Sequence, residues 1–146
     1  MMYSLLDDPL FRVRLPDNTV QGASLPQILH RLTQDDILSF EALQPHQQQP
    51  WHSFLVQLAA MTTAREADGA PPANADEWRD ALLSLADGDD AAWDLVVADV
   101  SRPAFLQSPV PEGTLDDAGY KADVPTPDQL DVLITSKSHD VKARRI

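Results

Sequence analysis

Proline is the residue that most limits what this chain can fold into. Twelve prolines are spread along 146 residues. Each ring fixes one backbone angle and removes an amide donor from helices and sheets. In the last third of the chain the prolines are too closely spaced for long elements, at Pro103, Pro109, Pro111, Pro125 and Pro127. The sequence therefore predicts short regular elements in the first two thirds and mostly loop after them.

Near the start, apolar and polar residues alternate in a way that favours a β-hairpin. Phe11, Val13 and Leu15 alternate with two arginines, and the segment Pro16-Asp17-Asn18 supplies turn residues before Val20. Period-two alternation interrupted by such residues predicts a hairpin over 10–23. The segment "DDILSFEAL" is too short and too weakly periodic to separate strand from helix.

Helical patterns follow the hairpin. Ser24 can cap a helix over about 25–32, with Ile28, Leu29 and Leu32 on its apolar face. The strongest pattern predicts a helix over about 50–66, because apolar residues recur at helical spacing. They are Trp51, Phe54, Leu55, Leu58 and Met61. Further patterns predict helices over about 75–87, 90–97 and 127–134, the first capped by Asn74 with Glu77 and ended by Gly88.

These elements predict an α+β fold in a single domain over 1–146. A small antiparallel sheet at the N-terminus would pack with several helices and proline-rich loops, and residues 135–146 would form a basic loop. A chain of this length can bury roughly two-thirds of the surface that its unfolded form exposes. A core of its own is therefore expected.

Composition excludes several classes of protein. There are no cysteines, which excludes a disulfide scaffold and thiol chemistry and fits a reducing compartment. No segment approaches the ~20 apolar residues of a membrane span, and the N-terminus lacks the pattern of a secretory signal. We expect a cytoplasmic protein that does not bind membranes.

The residue types do not favour an enzyme or a metalloprotein. The four histidines, His30, His46, His52 and His139, have no pair at the spacing that joins two ligands on one helix face. Neighbouring carboxylates such as Asp7 and Asp8 fit caps and solvated loops better than a catalytic pair. The glycines are scattered and form no phosphate cradle. We expect no catalytic residue, no metal and no cofactor.

The charge is distributed unevenly. The net charge is −12 at pH 7, yet the last ten residues hold four cations against Asp140 alone. The basic end offers cations and hydroxyl donors to phosphate oxygens, which predicts contact with nucleic acid or a neighbouring subunit. The candidate contact residues are Ser136, Lys137, Ser138, His139, Lys142, Arg144 and Arg145. The alternative is a solvated terminus whose cations offset the acidic body.

Four segments together resemble the N-terminal region of the CasA family, the large subunits of type I-E CRISPR surveillance complexes, or Cascade. They are "YSLLDDPLFRVRLPDNTVQGASLPQILHRL", "PWHSFLVQLAAM", "SRPAFLQSPVPEGTL" and "TPDQLDVLITSKSHDVK". Ala104-Phe105-Leu106-Gln107 corresponds to a "PFLQ"-like segment of the family, and Pro9-Leu10-Phe11 replaces its usual Trp-Ile-Pro. The likeness covers nearly the whole chain.

The resemblance implies a binding subunit rather than an enzyme, and an N-terminal portion of a longer protein. Such a subunit contacts crRNA, double-stranded target DNA and other Cascade subunits. It recognises the protospacer-adjacent motif and recruits a nuclease-helicase. In the family, a loop at about the position of residues 135–146 approaches the complex core and the DNA entry site. Any fused nuclease domain would lie beyond Ile146.

Two other classes of function stay open on the sequence alone. An acidic inhibitor that mimics DNA would account for the net charge of −12, but the basic end would spoil a continuous carboxylate face. A helical protein–protein adaptor would account for the apolar helices and would purify without nucleic acid.

Overall fold

The computed structural model describes residues 3–99, 101–107 and 109. By their contacts the residues form two units, Met1–Ala98 with Arg102–Ser108, and Asp99–Ser101 with Pro109–Ile146. In the second unit, the carboxylate of Asp99 accepts hydrogen bonds from the amide and hydroxyl of Ser101, at 2.9 and 2.6 Å. The predicted helix over 127–134 and the predicted basic loop over 135–146 lie outside the described residues. The single domain over 1–146 stays a prediction.

The first unit combines a small antiparallel sheet with helices, which confirms the predicted α+β fold class. Its three strands lie in the order β2-β1-β3. The strands are β1 (Phe11–Arg14), β2 (Val20–Ala23) and β3 (Ser39–Phe40). The α-helices of the described residues are α1 (Leu25–Thr33), α2 (Pro45–Thr63) and α3 (Ala75–Leu85).

The hairpin forms where the alternation predicts it. Val13 lies opposite Gln21 on β2 and opposite Phe40 on β3, and its side chain is fully buried. Asn18 takes a positive φ of 70°, which asparagine tolerates in tight turns. The Asp17 carboxylate fixes the turn by accepting hydrogen bonds from the amide and hydroxyl of Thr19, at 2.9 and 2.6 Å.

Helix α1 matches its predicted range, but its apolar face is only partly covered. The Ser24 amide donates to the Gln27 side chain at 3.0 Å and starts the helix. Ile28 and Leu29, on the predicted apolar face, are buried. Leu32 lies on the same apolar face, but 41% of it is exposed.

Helix α2 begins five residues before the predicted start at Pro50 and ends three residues before the predicted end at 66. Pro45 opens the helix at a position where a missing amide costs nothing. Pro50 removes one hydrogen bond, to the carbonyl of His46, but this part of the helix is exposed and water can replace the donor. At the other end, the Thr62 and Thr63 hydroxyls donate back to the carbonyls of Leu58 and Ala59, which competes with the helical pattern.

Helix α3 has the predicted cap and the predicted apolar face. The Glu77 amide donates to the Asn74 side chain at 2.9 Å. Trp78 and Leu82 are buried and pack toward α1. The helix ends at Leu85 rather than 87, and Gly88, at a φ of 84°, turns its amide back to the carbonyl of Leu83.

The helix predicted over 90–97 is wrong beyond its first turn. A 3₁₀ helix covers Asp90–Trp93, and the chain is extended from Asp94. There the amide of Leu95 donates to the carbonyl of Tyr3, and the carbonyl of Asp94 accepts from the amide of Phe105. These backbone groups pair with distant segments and are not available for a helix. Trp93 is buried as predicted.

One hydrophobic core joins these elements. It contains residues from the N-terminal segment, β1, all three helices and the 3₁₀ helix. Its largest fully buried side chain is Trp78, of which 1% is exposed. The core positions the segments described next.

Candidate functional site

The candidate contact residues at the basic end lie outside the described residues. They are Ser136, Lys137, Ser138, His139, Lys142, Arg144 and Arg145. Their role stays a prediction. The structure does describe Ala104–Gln107, the segment that corresponds to the "PFLQ"-like segment of the family.

Ala104–Gln107 forms a tight turn. The amide of Ala104 donates to the carbonyl of Gln107 at 3.3 Å, and the reverse hydrogen bond is 2.9 Å long. Leu106 takes a φ of 56°, and 84% of it is exposed. The turn is tied to the body, because the amide of Phe105 donates to the carbonyl of Asp94. An apolar side chain is thus held outward at a fixed position.

A row of aromatic rings anchors this turn. Phe105 stacks on Trp93 at 5.7 Å and meets Phe54 edge-to-face at 5.9 Å. The row continues from Phe54 to Trp51 at 5.6 Å and from Trp51 to Phe11 at 5.0 Å. Offset and edge-to-face pairs at these separations are favourable. The hairpin, α2 and the turn are therefore packed as one unit although they are far apart in the sequence.

A small cavity opens beside this row. It has a volume of about 220 Å³ and is mostly apolar, with Phe11, Phe40 and Trp51 among its lining. The indole nitrogen Nε1 of Trp51 is buried and has no hydrogen-bond partner. Glu41, also at the cavity, is held by Arg14 at 2.8 Å, and this hydrogen bond lowers the pKa of the carboxyl. The lining is mostly apolar and its carboxylate is held by Arg14, which disfavours acid–base catalysis at this cavity.

The surface of the first unit is strongly acidic. Its described residues hold fifteen carboxylates and six arginines, and no lysine occurs before Lys121. Four of the arginines are already engaged: Arg14, Arg31 and Arg79 in ion pairs with Glu41, Asp36 and Asp7, and Arg65 with the carbonyl of Ser84. Long-range repulsion should therefore keep polyanions away from this surface.

Asp94 is the most buried carboxylate of this surface, with 9% exposed. Burial raises the pKa of Asp94, and the negative charge of Asp90 raises it further. Asp7 shows the opposite shift, because the hydrogen bond from Arg79, at 2.7 Å, lowers the pKa of its carboxyl. The two carboxylates therefore affect stability in opposite directions.

Replacing Asp94 with asparagine is expected to stabilise the fold at pH 7. A pKa raised by folding means that ionised Asp94 destabilises the folded state at every pH above the folded pKa. This cost falls as the pH drops through the folded pKa and is absent below the ordinary value of 3.8. Urea denaturation at pH 7 and near pH 3 measures the difference between Asp94→Asn and the natural chain.

The control is Glu66→Gln, which removes one exposed carboxylate and so reports the general relief of charge repulsion. Asp94→Asn should stabilise more than this control at pH 7, and the gap should close near pH 3. An equal effect of both variants at pH 7 would contradict the assigned cause.

Other residues contribute less to a chemical site. Among the described residues, no group of three or more histidine, aspartate or glutamate side chains could hold a metal ion. Within the same ranges, no helix combines the length and apolar character needed to cross a membrane.

The aromatic row was missed from the sequence, since Phe11, Trp51 and Phe105 belong to three separate patterns. Only the helical spacing of Trp51 and Phe54 indicated part of it.

Comparisons with known proteins add no relative. No protein-family model, curated protein or solved structure matches the chain.

Proposed function

We propose that this chain is the N-terminal portion of a CasA-like large subunit in a type I-E CRISPR surveillance complex. It would act in the cytoplasm by binding and not by covalent chemistry. Through the assembled complex it would contribute to crRNA and target-DNA binding, to recognition of the protospacer-adjacent motif and to recruitment of the nuclease-helicase.

The observation that carries the proposal is the packing of the segments that resemble the family. Phe11 comes from the first segment, Trp51 and Phe54 from the second, and Phe105 from the "PFLQ"-like segment, and their rings form one row. The row therefore brings three of the four segments that resemble the family into one packed unit, as the proposal requires.

The distribution of charge supports a division of roles. The first unit is acidic, and most of its arginines already contact a carboxylate or a carbonyl. Attraction to RNA or DNA then falls to Lys137, Lys142 and the two terminal arginines, beside the hydroxyls of Ser136 and Ser138. His139 lies within the same run and could donate to phosphate when protonated.

A DNA mimic is the second candidate, and the acidic surface is the observation that favours it. Fifteen carboxylates in the described part of the first unit could imitate phosphates. Several of them, however, cap backbone amides or pair with arginines, as Asp7 does with Arg79. A helical adaptor is the third candidate.

Reconstitution separates the three candidates. The tagged 146-residue chain is co-expressed with the remaining subunits of a type I-E complex and a guide RNA. It is then purified, and the product is titrated with fluorescent target DNA. We expect the chain to elute with guide RNA and the complex to bind DNA more tightly than one assembled without the chain. If the chain instead displaces DNA from the other subunits, it is a mimic. If it elutes with protein but without guide RNA and adds no DNA affinity, it is an adaptor.

A further inference from the structure

A second surface of the chain has the features of a protein-docking site. A groove of about 360 Å³ lies between α1 and α2. Leu29, Leu55 and Trp78 line it and are buried, so they form its base. Leu32 and Val56 also line it, with 41% and 53% exposed, so they form its rim. The groove is therefore an open apolar channel rather than a closed cavity.

Helix α2 is unusual because it carries no charge. From Pro45 to Thr63 it has no aspartate, glutamate, lysine or arginine, in a chain where such residues make up 23%. Only Leu55, Leu58 and Thr62 of this helix are buried. A solvated helix face normally carries charged residues, whereas loss of charge is typical of the centre of a protein interface.

The exposed rim of the groove includes one residue of the predicted apolar stripes. Leu32 on α1 lines the groove together with Val56 on α2, and 41% and 53% of them are exposed. Met61, the exposed member of the α2 stripe, lies outside the groove lining. Contiguous exposed apolar surface of this kind marks an interaction site more often than a solvated face. The pattern in the sequence is thus accounted for if a further element covers the groove.

Two exposed carboxylates close in sequence to the groove lining indicate the charge of that element. Asp35 follows the last lining residue of α1 by two positions, and Glu66 follows that of α2 by three. The nearest cations in sequence are engaged elsewhere, since Arg31 pairs with Asp36 and Arg65 bonds to the carbonyl of Ser84. An apolar groove on an acidic surface complements an apolar ligand that carries basic residues.

We propose that the groove binds an amphipathic α-helix of a partner protein, with an apolar face flanked by lysine or arginine. A helix laid between two helices presents residues at positions i, i+3, i+4 and i+7 to such a channel. A second copy of this chain is a poor occupant, because two bodies with a net charge of −12 repel each other. The proposal does not depend on the nucleic-acid role of the basic end.

The test uses a labelled model helix as the probe. A fluorescent peptide of about 18 residues spans the groove as a helix, and carries leucines on one face and lysines at both ends. Its binding to the full chain is followed by fluorescence anisotropy. We expect saturable binding, and we expect Val56→Glu to weaken it by about tenfold or more, because the new carboxylate would be buried in an apolar contact.

The matched control is Gln57→Glu, which adds the same charge to the next residue of α2, an exposed position outside the groove lining. It should change the affinity less than about threefold. A second peptide has glutamates in place of the terminal lysines and should bind at least about tenfold more weakly than the first. Far-UV circular dichroism of both variants reports whether α2 is intact.

Three results of the peptide titrations would overturn the proposal. They are no binding of the lysine peptide, equal loss of binding in Val56→Glu and Gln57→Glu, and equal binding of the two peptides. Analytical ultracentrifugation of the chain alone measures its oligomeric state. A concentration-dependent dimer that Val56→Glu abolishes would identify a second copy as the occupant and would also contradict the proposal.

Discussion

Trp78→Ala should lower the free energy of unfolding by about 3–5 kcal/mol, the range for removal of a buried large aromatic side chain. Trp78 is the largest fully buried side chain, with 1% exposed. It lies on α3 and faces α1 across the core, so its loss would leave a cavity between two helices. Domains are commonly stable by only about 5–15 kcal/mol, so a large fall in the urea midpoint is expected.

Trp78→Phe is the matched control. The indole nitrogen Nε1 of Trp78 is buried without a hydrogen-bond partner, which costs about 1–3 kcal/mol of desolvation. Phenylalanine keeps an aromatic ring and removes this unpaired donor, so the net loss should stay below about 1.5 kcal/mol. Both variants are measured by urea denaturation followed by far-UV circular dichroism. A loss below about 1 kcal/mol for Trp78→Ala would contradict the described packing of α3.

Replacing Lys137, Lys142, Arg144 and Arg145 with alanine should weaken target-DNA binding by the assembled complex by about 100-fold or more near physiological salt. Each cation that neutralises a phosphate makes the negative slope of log affinity against log salt steeper by about 0.9. The loss of four such contacts should therefore make the slope less steep by about 3.6. Fluorescence titrations at several salt concentrations measure both quantities. An unchanged affinity and slope would contradict the assignment of the basic end.

A pair of double variants separates position from net charge. Lys142→Ala with Arg144→Ala removes two cations from the basic end. Arg12→Ala with Arg102→Ala removes two cations from exposed positions of the first unit. The first double variant should make the slope of log affinity against log salt less steep by about 2, and the second should change it much less. Equal effects would show that only the total charge matters.

The sequence predicted most of the elements whose signals are local. The hairpin depends on alternation around Val13 and on the turn at Asp17 and Asn18, and these interactions span few residues. The cap of α3 depends on Asn74 and Glu77, three residues apart. Such local patterns can be recognised in the sequence without knowledge of the fold.

The errors arose where distant segments decide the structure. The helix predicted over 90–97 gives way to extended chain because Leu95 and Asp94 pair with Tyr3 and Phe105. Helical spacing predicted that the face with Met61 packs into the core, but 59% of Met61 is exposed. The elements that cover a helix face cannot be deduced from the sequence of that helix alone. Nor could the aromatic row be predicted, since its rings come from separate elements.

The most direct test of the account is a cryo-EM map of the chain assembled with the other type I-E subunits, guide RNA and target DNA. The proposed function predicts that nitrogens of Lys142 and Arg144 lie about 3–4 Å from phosphate oxygens of RNA or DNA, with the acidic first unit turned away from the strands. Both side chains surrounded by solvent, far from any strand, would contradict it.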